Sequence, residues 1–314
     1  MIVTLTPNPC IDRTVRVGHL ARGELNRTSS ARSEAAGKGL NVSRALHLHG
    51  FETTAVMPVA SESATAYLGL VEDGTPISAV PVRGNVRTNL TVLEADGTVT
   101  KLNEPGPELD ERDIDALIAT VDALPATWIA GCGSVPPGAP DDLYARLARL
   151  ASPDRHVAVD TSGGPLAACV SARPDLIKPN VGELDELVNA RVETLGEVVD
   201  AAREVVARGA RAVLVSLGAD GVVFVDRTRT RHAEAAVANV ANTVGAGDAL
   251  LAGYLAAGGG PNAIATAVAW SVAAIRSPGT GIGLVGDADR RAVRVHERVE
   301  TGRRLRRHRA PVPI

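Results

Sequence analysis

The chain of 314 residues is 45% apolar and 22% charged, which is typical of a globular protein with a sizeable buried core. Its 33 basic and 36 acidic side chains give a net charge of −3, and only 2% of the residues are aromatic. Both figures argue against a dedicated nucleic-acid-binding protein, which needs a basic surface and aromatic stacking platforms. The N-terminus lacks a signal-peptide pattern and no run of 18 apolar residues occurs, so we expect a cytoplasmic protein with no membrane partner.

The first hundred residues contain the signals of a strand, a helix and a hairpin. Residues 2–6 are apolar and predict a short buried strand. The pattern over residues 39–50 is helical, and its closing glycine is a helix stop signal. Residues 88–102 alternate between apolar and polar, and the Asp-Gly step at 96–97 predicts a β-hairpin.

Helical stretches and short apolar strands alternate from about residue 110 onward. The helical stretches are 110–123, 141–151 and 196–208, and the strands are 127–130, 156–160, 176–178 and 212–217. This alternation predicts an α/β fold with a parallel sheet covered by helices on both faces. The polar segments 12–35 and 84–104 do not fit such a sheet. We expect them to form a small antiparallel β-sheet lid on a single domain that spans residues 1–314.

The C-terminal segment is strongly basic. Nine arginines but only two glutamates, Glu297 and Glu300, occur between Arg290 and Arg309. Such a charge run could contact nucleic acid or an anionic membrane. We favour a terminal helix with a solvated basic face, followed by a frayed tail over residues 301–314.

The strongest candidate for catalysis is the segment 242–248, Asn-Thr-Val-Gly-Ala-Gly-Asp, which precedes an apolar helical stretch. The free N–H groups at a helix start form an anion site, and Gly245 and Gly247 let the backbone approach a phosphate closely. Asp248 could then accept a proton from a hydroxyl that faces this phosphate. An Asp there also stabilises the helix through its dipole. Because that role does not require the two preceding glycines, the pattern favours chemistry.

A second glycine-rich segment, residues 35–44, also precedes a helix. Glycine follows Lys38 where a Walker A loop has Ser or Thr, so this is not that nucleotide motif. A cation and an amide, Lys38 and Asn41, suit an anionic or polyhydroxyl ligand. An ordinary glycine turn before a helix explains the pattern equally well.

These motifs resemble the ribokinase/PfkB-type carbohydrate kinases, and most closely the branch that acts on fructose 1-phosphate. The resemblance extends from Thr6 to Gly281. The segments that carry it, in chain order, are Thr6-Pro-Asn-Pro-Cys-Ile-Asp12, Gly23-Glu-Leu-Asn-Arg27, Ala36-Gly-Lys-Gly-Leu-Asn41, Arg87-Thr-Asn89 and Thr243-Val-Gly-Ala-Gly-Asp248. It implies a ribokinase-like three-layer α/β/α sheet domain with a small β-sheet lid.

The resemblance also implies which residues bind the sugar phosphate. They are Asp12, Arg27, Gly37, Lys38, Asn41, Arg87 and Ser134. Asp12 and Asn41 would hold the sugar hydroxyls. Arg27 and Arg87 would bind the phosphate, because a planar guanidinium can hold a phosphate by two parallel hydrogen bonds. Lys38 would be a third cation.

A further set of residues is implied for ATP and magnesium. The nucleotide-binding residues are Lys178, Asn180, Ser216, Gly218 and Gly221. Asn180 and Glu183 match a family motif that organises Mg²⁺ through water. Taken without the family, Asn180 and Glu183 form a helix capping box, and the glycines of 218–221 form a hairpin turn. The two roles are compatible.

The implied activity is ATP-dependent phosphorylation of fructose 1-phosphate to fructose 1,6-bisphosphate. Asp248 would be the base, and the N–H groups of Gly245, Ala246 and Gly247 would bind the transferring phosphoryl group. Activation by a monovalent cation such as K⁺ stays open. The alternatives are a 6-phosphofructokinase or tagatose-6-phosphate kinase of the same family, or a non-catalytic regulator that binds a sugar phosphate. The resemblance further implies a homodimer formed through the lid.

Overall fold

The computed structural model describes residues 1–237, 240–241, 243–277 and 283–306. The strands found there are β1 (Ile2–Leu5), β2 (Cys10–Val17), β3 (Ser30–Ala36), β4 (Thr53–Ala60), β5 (Ile77–Val82), β6 (Arg87–Glu94), β7 (Val99–Asn103), β8 (Trp128–Cys132), β9 (His156–Asp160), β10 (Leu176–Ile177), β11 (Ala212–Ser216), β12 (Val222–Asp226), β13 (Thr230–Ala235) and β14 (Val293–His296). The helices are α1 (Lys38–Leu48), α2 (Ala64–Leu68), α3 (Glu111–Asp122), α4 (Leu143–Ala148), α5 (Gly163–Ser171), α6 (Val181–Val188), α7 (Leu195–Arg208), α8 (Ala246–Ala256), α9 (Ile264–Arg276) and α10 (Asp287–Arg291).

Ten strands form one large sheet in the order β14-β13-β12-β11-β10-β9-β8-β1-β4-β5. All pairs from β5 to β11 are parallel, which confirms the predicted parallel sheet for the main part of the molecule. The edge strands β12, β13 and β14 pair antiparallel. The connection from β11 to β12 is a short turn at residues 217–221, which allows only antiparallel pairing.

Helices cover both faces of the large sheet, as the sequence predicts. Ile129 on β8 belongs to the core shared with α3, α4 and α7. Its neighbours Trp128 and Ala130 belong to the opposite core, shared with α1, α8 and α9. This alternation gives the three-layer α/β/α arrangement. Within the described part of the chain, none of the helices combines the length and apolar character needed to cross a bilayer.

Four strands form a separate small sheet in the order β3-β2-β6-β7. The β6–β7 hairpin turns through Gly97, whose φ of +90° is a left-handed value that favours glycine. This is the hairpin predicted at 96–97. One pair, β2–β6, is parallel rather than antiparallel, because the chain passes through the large sheet between these two strands.

The C-terminal segment differs from the predicted basic helix. Val293–His296 alternates between apolar and basic residues and adds β14 to the sheet edge instead. Residues 301–306 are not frayed, since Leu195 at the start of α7 donates its N–H to the carbonyl of Arg303 at 2.9 Å. The rest of the predicted tail, residues 307–314, lies outside the described residues.

Candidate active site

A cavity of about 480 Å³ lies at the carboxyl ends of the parallel strands, where the small sheet meets the large one. Most of the predicted site residues line it. They are Asp12, Gly37, Lys38, Asn41, Arg87, Ser134, Lys178, Asn180, Glu183, Ser216, Gly245, Gly247 and Asp248. These residues come from seven separate segments of the chain, so the fold brings together what the sequence separates.

The start of α8 forms one end of the cavity. Gly245 precedes the helix with a φ of +79°, a value that favours glycine. Ala246 and Gly247 open the helix, and Asp248 lies in its first turn. A Cβ at Gly247 would be in ordinary contact with the Nζ atom of Lys178, at 3.6 Å, so this cation lies close to the start of the helix. First-turn N–H groups beside an ammonium form a strong anion site.

Asp248 is 8% exposed, and Asn41 Nδ2 donates a hydrogen bond of 2.9 Å to its Oδ2 atom. Burial, and then the charge of Asp160, raise the pKa of Asp248 to about 6. The hydrogen bond from Asn41 and the nearby lysines oppose this rise. A carboxylate with such a pKa is ionised at neutral pH and still basic enough to accept a proton from a positioned hydroxyl.

Two lysines share one buried carboxylate on the cavity wall. The Nζ atoms of Lys38 and Lys178 lie 3.0 and 2.8 Å from the two oxygens of Asp160. Burial alone would raise the pKa of Asp160, but the two ammonium groups hold it below its usual value. The charge of Asp160 in turn raises the pKa of Lys38 against the effect of burial. The two lysines and Asp160 together therefore have one net positive charge beside the cavity, and both ammonium groups are fixed in position.

The start of α1 lines the cavity because it packs closely against the end of β1. A Cβ at Gly37, where φ is +148°, would lie 2.6 Å from Thr6 Cγ2. The hydroxyl of Thr6 accepts a hydrogen bond of 3.0 Å from the N–H of Leu40. The helix is therefore held against the end of β1, with Lys38 and Asn41 on the cavity side. An L side chain at residue 37 would be both strained and obstructed.

The small sheet contributes a polar wall. Its parallel register pairs Cys10 with Arg87, and Asp12 with Asn89. Alternate residues of a strand face the same side, so all four line the cavity. Asn89 Nδ2 lies 3.1 Å from Asp12 Oδ1, to which it donates. Arg87 Nε and Asn89 Oδ1 are buried with no hydrogen-bond partner among the described residues, which leaves capacity for a polar ligand.

Asn180 and Glu183 form the capping box that the sequence predicts. Asn180 Oδ1 accepts from the N–H of Glu183 at 2.9 Å, and Glu183 Oε2 accepts from the N–H of Asn180 at 2.8 Å. Both side chains line the cavity. Burial raises the pKa of Glu183, although the N–H of Asn180 opposes this. Because one oxygen of Asn180 and one of Glu183 are already engaged, the pair fits a hydrated Mg²⁺ held through water, and hard oxygen donors suit that ion.

The remaining predicted residues lie at or beyond the cavity edge. Gly218 and Gly221 form the turn after β11 but are not among the lining residues. A Cβ at Gly221 would lie 2.0 Å from the carbonyl of Ala233, so packing alone requires this glycine. Arg27 lies on the exposed loop between β2 and β3 and does not reach the cavity of its own chain. Residue 242 of the candidate catalytic segment and residues 278–281 at the end of the resemblance lie outside the described residues.

Asp160 and Asn89 are two polar cavity residues that the sequence reasoning did not assign to the site. Asp160 ends the buried strand β9, and polar residues at the carboxyl ends of parallel strands meet at one edge of a sheet. That signal was available in the sequence. Asn89 lies two positions after Arg87 on a strand with alternating character, so it shares its face.

Comparisons with known proteins show which family the chain belongs to. The family described as pfkB family carbohydrate kinase matches residues 5–285. A 1-phosphofructokinase from Rhodobacter capsulatus is 38% identical over 266 residues, which cover 81% of this chain and 82% of that protein. An ATP-dependent 6-phosphofructokinase isozyme 2 from Mycobacterium tuberculosis is 33% identical over 80% of this chain and 76% of its own. The crystal structure of phosphofructokinase-2 from Escherichia coli in complex with potassium has a TM-score of 0.84 at 28% identity, covering 92% of this chain and 96% of that one.

The chain belongs to the PfkB family of carbohydrate kinases. It is a phosphotransferase that acts on a sugar hydroxyl, and the relatives indicate a kinase of sugar phosphates.

Proposed function

We propose that this protein phosphorylates fructose 1-phosphate with ATP to give fructose 1,6-bisphosphate, with Asp248 as the general base. The observation that carries the proposal is the buried Asp248 carboxylate at the start of α8. It is hydrogen-bonded to Asn41 and lies on the same cavity as Lys38, Lys178 and Arg87. An acid beside an anion site is the arrangement that phosphoryl transfer to a hydroxyl requires.

In the proposed reaction the C6 hydroxyl of the sugar attacks the γ-phosphorus of ATP. A new P–O bond forms, the bond to the leaving ADP oxygen breaks, and the hydroxyl proton passes to a carboxylate oxygen of Asp248. The N–H groups of Gly245, Ala246 and Gly247 donate to the oxygens of the transferring group. Catalysis of this kind consists mainly of positioning and electrostatic stabilisation.

The nucleotide lies, in this proposal, against Lys178, Asn180, Ser216 and the turn at Gly218. Mg²⁺, held through water by Asn180 and Glu183, supplies positive charge that offsets the phosphates when it is bound. The M. tuberculosis relative is an ATP-dependent kinase by name, which supports this co-substrate. The potassium complex of the E. coli structure supports testing K⁺ as an activator.

The preference for fructose 1-phosphate depends on sequence likeness more than on charge. Arg87, with Arg27 as the second implied cation, calls for a substrate that already carries a phosphate. Fructose 1-phosphate, fructose 6-phosphate and tagatose 6-phosphate all meet that requirement. The 1-phosphofructokinase from R. capsulatus is more similar than the 6-phosphofructokinase from M. tuberculosis, at 38% against 33% identity. Hydroxyl contacts from Asp12 and Asn41 would then reject the wrong isomer.

An ADP-release assay with these three sugar phosphates tests the proposal. We expect the highest kcat/KM for fructose 1-phosphate. A higher kcat/KM for either 6-phosphate would identify that sugar phosphate as the preferred substrate, and the protein would still be a kinase. The absence of turnover on all three, with tight binding of one, would favour the non-catalytic regulator. That alternative has no use for a base, and the retained Asp248 therefore counts against it.

We also propose a homodimer formed through the small sheet. Val99 and Leu102 on its edge strand β7, and Leu25 on the β2–β3 loop, are 51%, 59% and 76% exposed. Exposed strand edges with apolar side chains tend to be covered. Light scattering at micromolar concentrations should give twice the chain mass of 32.4 kDa. The mass of a monomer would contradict the proposal. Four times the chain mass would indicate a tetramer, the state of the inhibited form of the E. coli phosphofructokinase-2.

A further inference from the structure

The C-terminal strap, which we define as residues 301–306, crosses the start of α7. Two N–H groups at this helix end, those of Leu195 and Gly196, donate to strap carbonyls at 2.9 and 3.0 Å. The first N–H groups of a helix have no acceptor within the helix, so the strap satisfies them. Leu305 packs against the hydrophobic core on this side of the sheet. The strap is therefore a fixed part of the fold.

The strap also holds a buried carboxylate. Asp220, which is 1% exposed, lies in the short turn between β11 and β12. Arg303 Nη2 donates to Asp220 Oδ1 at 2.8 Å, and the N–H of Arg306 donates to Oδ2 at 2.6 Å. A buried carboxylate is stable only when such donors surround it. The strap and the turn therefore hold each other in place.

Arg303 is fixed from a second side. Its Nη2 atom lies 2.8 Å from Glu234 Oε2 on β13, and His296 Nε2 on β14 lies 3.1 Å from Glu234 Oε1. His232, Glu234 and His296 offer potential metal-ligand atoms that all lie within 4.8 Å of one another. The guanidinium of Arg303 already supplies the cation that Glu234 binds. The hydrogen bonds that Arg303 donates to the carboxylates of Glu234 and Asp220 raise the pKa of Arg303, so this cation is permanent.

The turn held by the strap borders the cavity. It begins immediately after Ser216, which lines the cavity at the end of β11. The N–H of Leu217 donates to the carbonyl of Gly221 at 2.8 Å, which closes the turn. The carbonyl of Asp220 lies 2.8 Å from His232 Nε2. Because the turn is this short and closed, a shift of Asp220 would also move the residues beside Ser216.

We propose that Arg303 is a positioning residue for ATP, which acts by holding Asp220 and thereby the turn at residues 217–221. The inference rests on the proposed role of Ser216 and Gly218 in nucleotide binding. Loss of Arg303 leaves the buried Asp220 with a more distant and exposed cation, the guanidinium of Arg306, whose Nε atom lies 3.5 Å from Asp220 Oδ1. The turn then moves to expose the charge of Asp220. Among the described residues, the side-chain hydrogen bonds and ion pairs of this turn join it to the strap and to His232 rather than to the small sheet, so we expect the sugar phosphate side of the cavity to keep its geometry.

The test compares Arg303→Ala, Arg303→Lys and a matched control, Arg304→Ala. Arg304 belongs to the same strap and carries the same charge, but it is exposed. Calorimetric titration with Mg²⁺-ATP in the absence of sugar measures nucleotide affinity, and steady-state assays give KM for each substrate. Charge-assisted hydrogen bonds are strong enough that we expect Arg303→Ala to raise Kd and KM for ATP about tenfold. Arg303→Lys should recover part of the loss, and Arg304→Ala should match the parent, with KM for the sugar phosphate unchanged throughout.

Unchanged ATP affinity in Arg303→Ala would overturn the inference, and so would equal losses for ATP and sugar phosphate. If Arg303→Ala does not fold, Asp220→Asn, which keeps the side-chain volume, gives the same comparison. A parent protein that binds ATP but does not phosphorylate fructose 1-phosphate would refute the proposed substrate. The ATP titrations would still test the strap in that case, so the two failures are distinguishable.

Discussion

Asn41 and Asp248 are 207 positions apart, and a hydrogen bond of 2.9 Å joins their side chains at the starts of α1 and α8. Each residue follows a glycine-rich segment that the sequence marks as a ligand site. The bond unites the two segments in one cavity. It also lowers the pKa of the buried Asp248, which burial would otherwise raise further.

Replacement of Asp248 by Asn keeps the side-chain shape and removes the base. We expect kcat to fall by roughly 10²–10⁴, the usual contribution of a positioned base. The Kd for fructose 1-phosphate, measured by calorimetry, should change little. The melting temperature should not fall, because the raised pKa means that burial of the ionised form of Asp248 is unfavourable. Turnover within a few-fold of the parent would show that Asp248 is only a helix-stabilising residue.

The same carboxyl group should control the acid limb of the pH–rate profile. Asp248 acts as a base only when ionised, so kcat should fall as the pH drops through about 6. Phosphate monoesters also titrate near pH 6, so the parent profile alone is ambiguous.

The Asn41→Ala variant distinguishes the titration of Asp248 from the titration of the substrate phosphate. Loss of its hydrogen bond to Asp248 should raise the pKa of that carboxyl and move the acid limb to higher pH. The pKa of the substrate is the same in both measurements, so a shift between variants belongs to the enzyme. Superimposable acid limbs would assign the titration to the substrate.

The sequence predicted both halves of the Asn41–Asp248 pair, because glycines before a helix are a local signal. It also predicted the alternating strands and helices that make the large parallel sheet. The pairing of Lys38 with Asp160 could not be predicted in this way. It joins residues 122 positions apart, and only the order of strands in the sheet brings them together.

The C-terminal part of the chain shows where charge patterning misleads. Nine arginines suggested a solvated helix and a loose tail, yet Arg303 is held by Asp220 and Glu234. The two acids lie far back in the sequence, on the turn after β11 and on β13. A local count of charges does not include partners that arrive from other strands.

Arg87→Ala tests recognition of the substrate phosphate. Arg87 lines the cavity with its Nε atom buried and unpartnered among the described residues. Charge-assisted hydrogen bonds contribute about 1.5–3 kcal/mol each. We therefore expect kcat/KM for fructose 1-phosphate to fall at least about tenfold, and that for free fructose to change little. Equal losses on both substrates would give Arg87 a structural role.

Arg27→Ala is the matched comparison for Arg87→Ala. The resemblance implies the same phosphate role for Arg27, but its side chain is exposed and outside the cavity of its own chain. A fall in kcat/KM for fructose 1-phosphate but not for free fructose would show that Arg27 binds the substrate phosphate despite this position. Kinetics identical to the parent would leave Arg87 as the phosphate ligand of the small sheet.

Asp160→Asn should reduce both stability and activity, since it removes the charge that fixes Lys38 and Lys178. Loss of one partner from a buried ion pair costs about 3–5 kcal/mol, and the partial exposure of Lys38 favours the lower end. Urea unfolding at pH 7 measures this difference. Asp142→Asn is the control, because the surface pair of Asp142 with Arg146 should contribute about 1 kcal/mol or less.

The pH dependence of this difference follows from the pKa of Asp160, which folding lowers from 3.8. The stabilisation by the ionised carboxylate is fully present above pH 3.8 and is lost as the pH falls through the lower value of the folded state. The unfolding free energies of the parent and Asp160→Asn should therefore converge only in strong acid. A variant as stable as the parent at pH 7 would show that the two ammonium groups do not depend on Asp160. In that case, other residues would have to hold the ammonium groups of Lys38 and Lys178 in position.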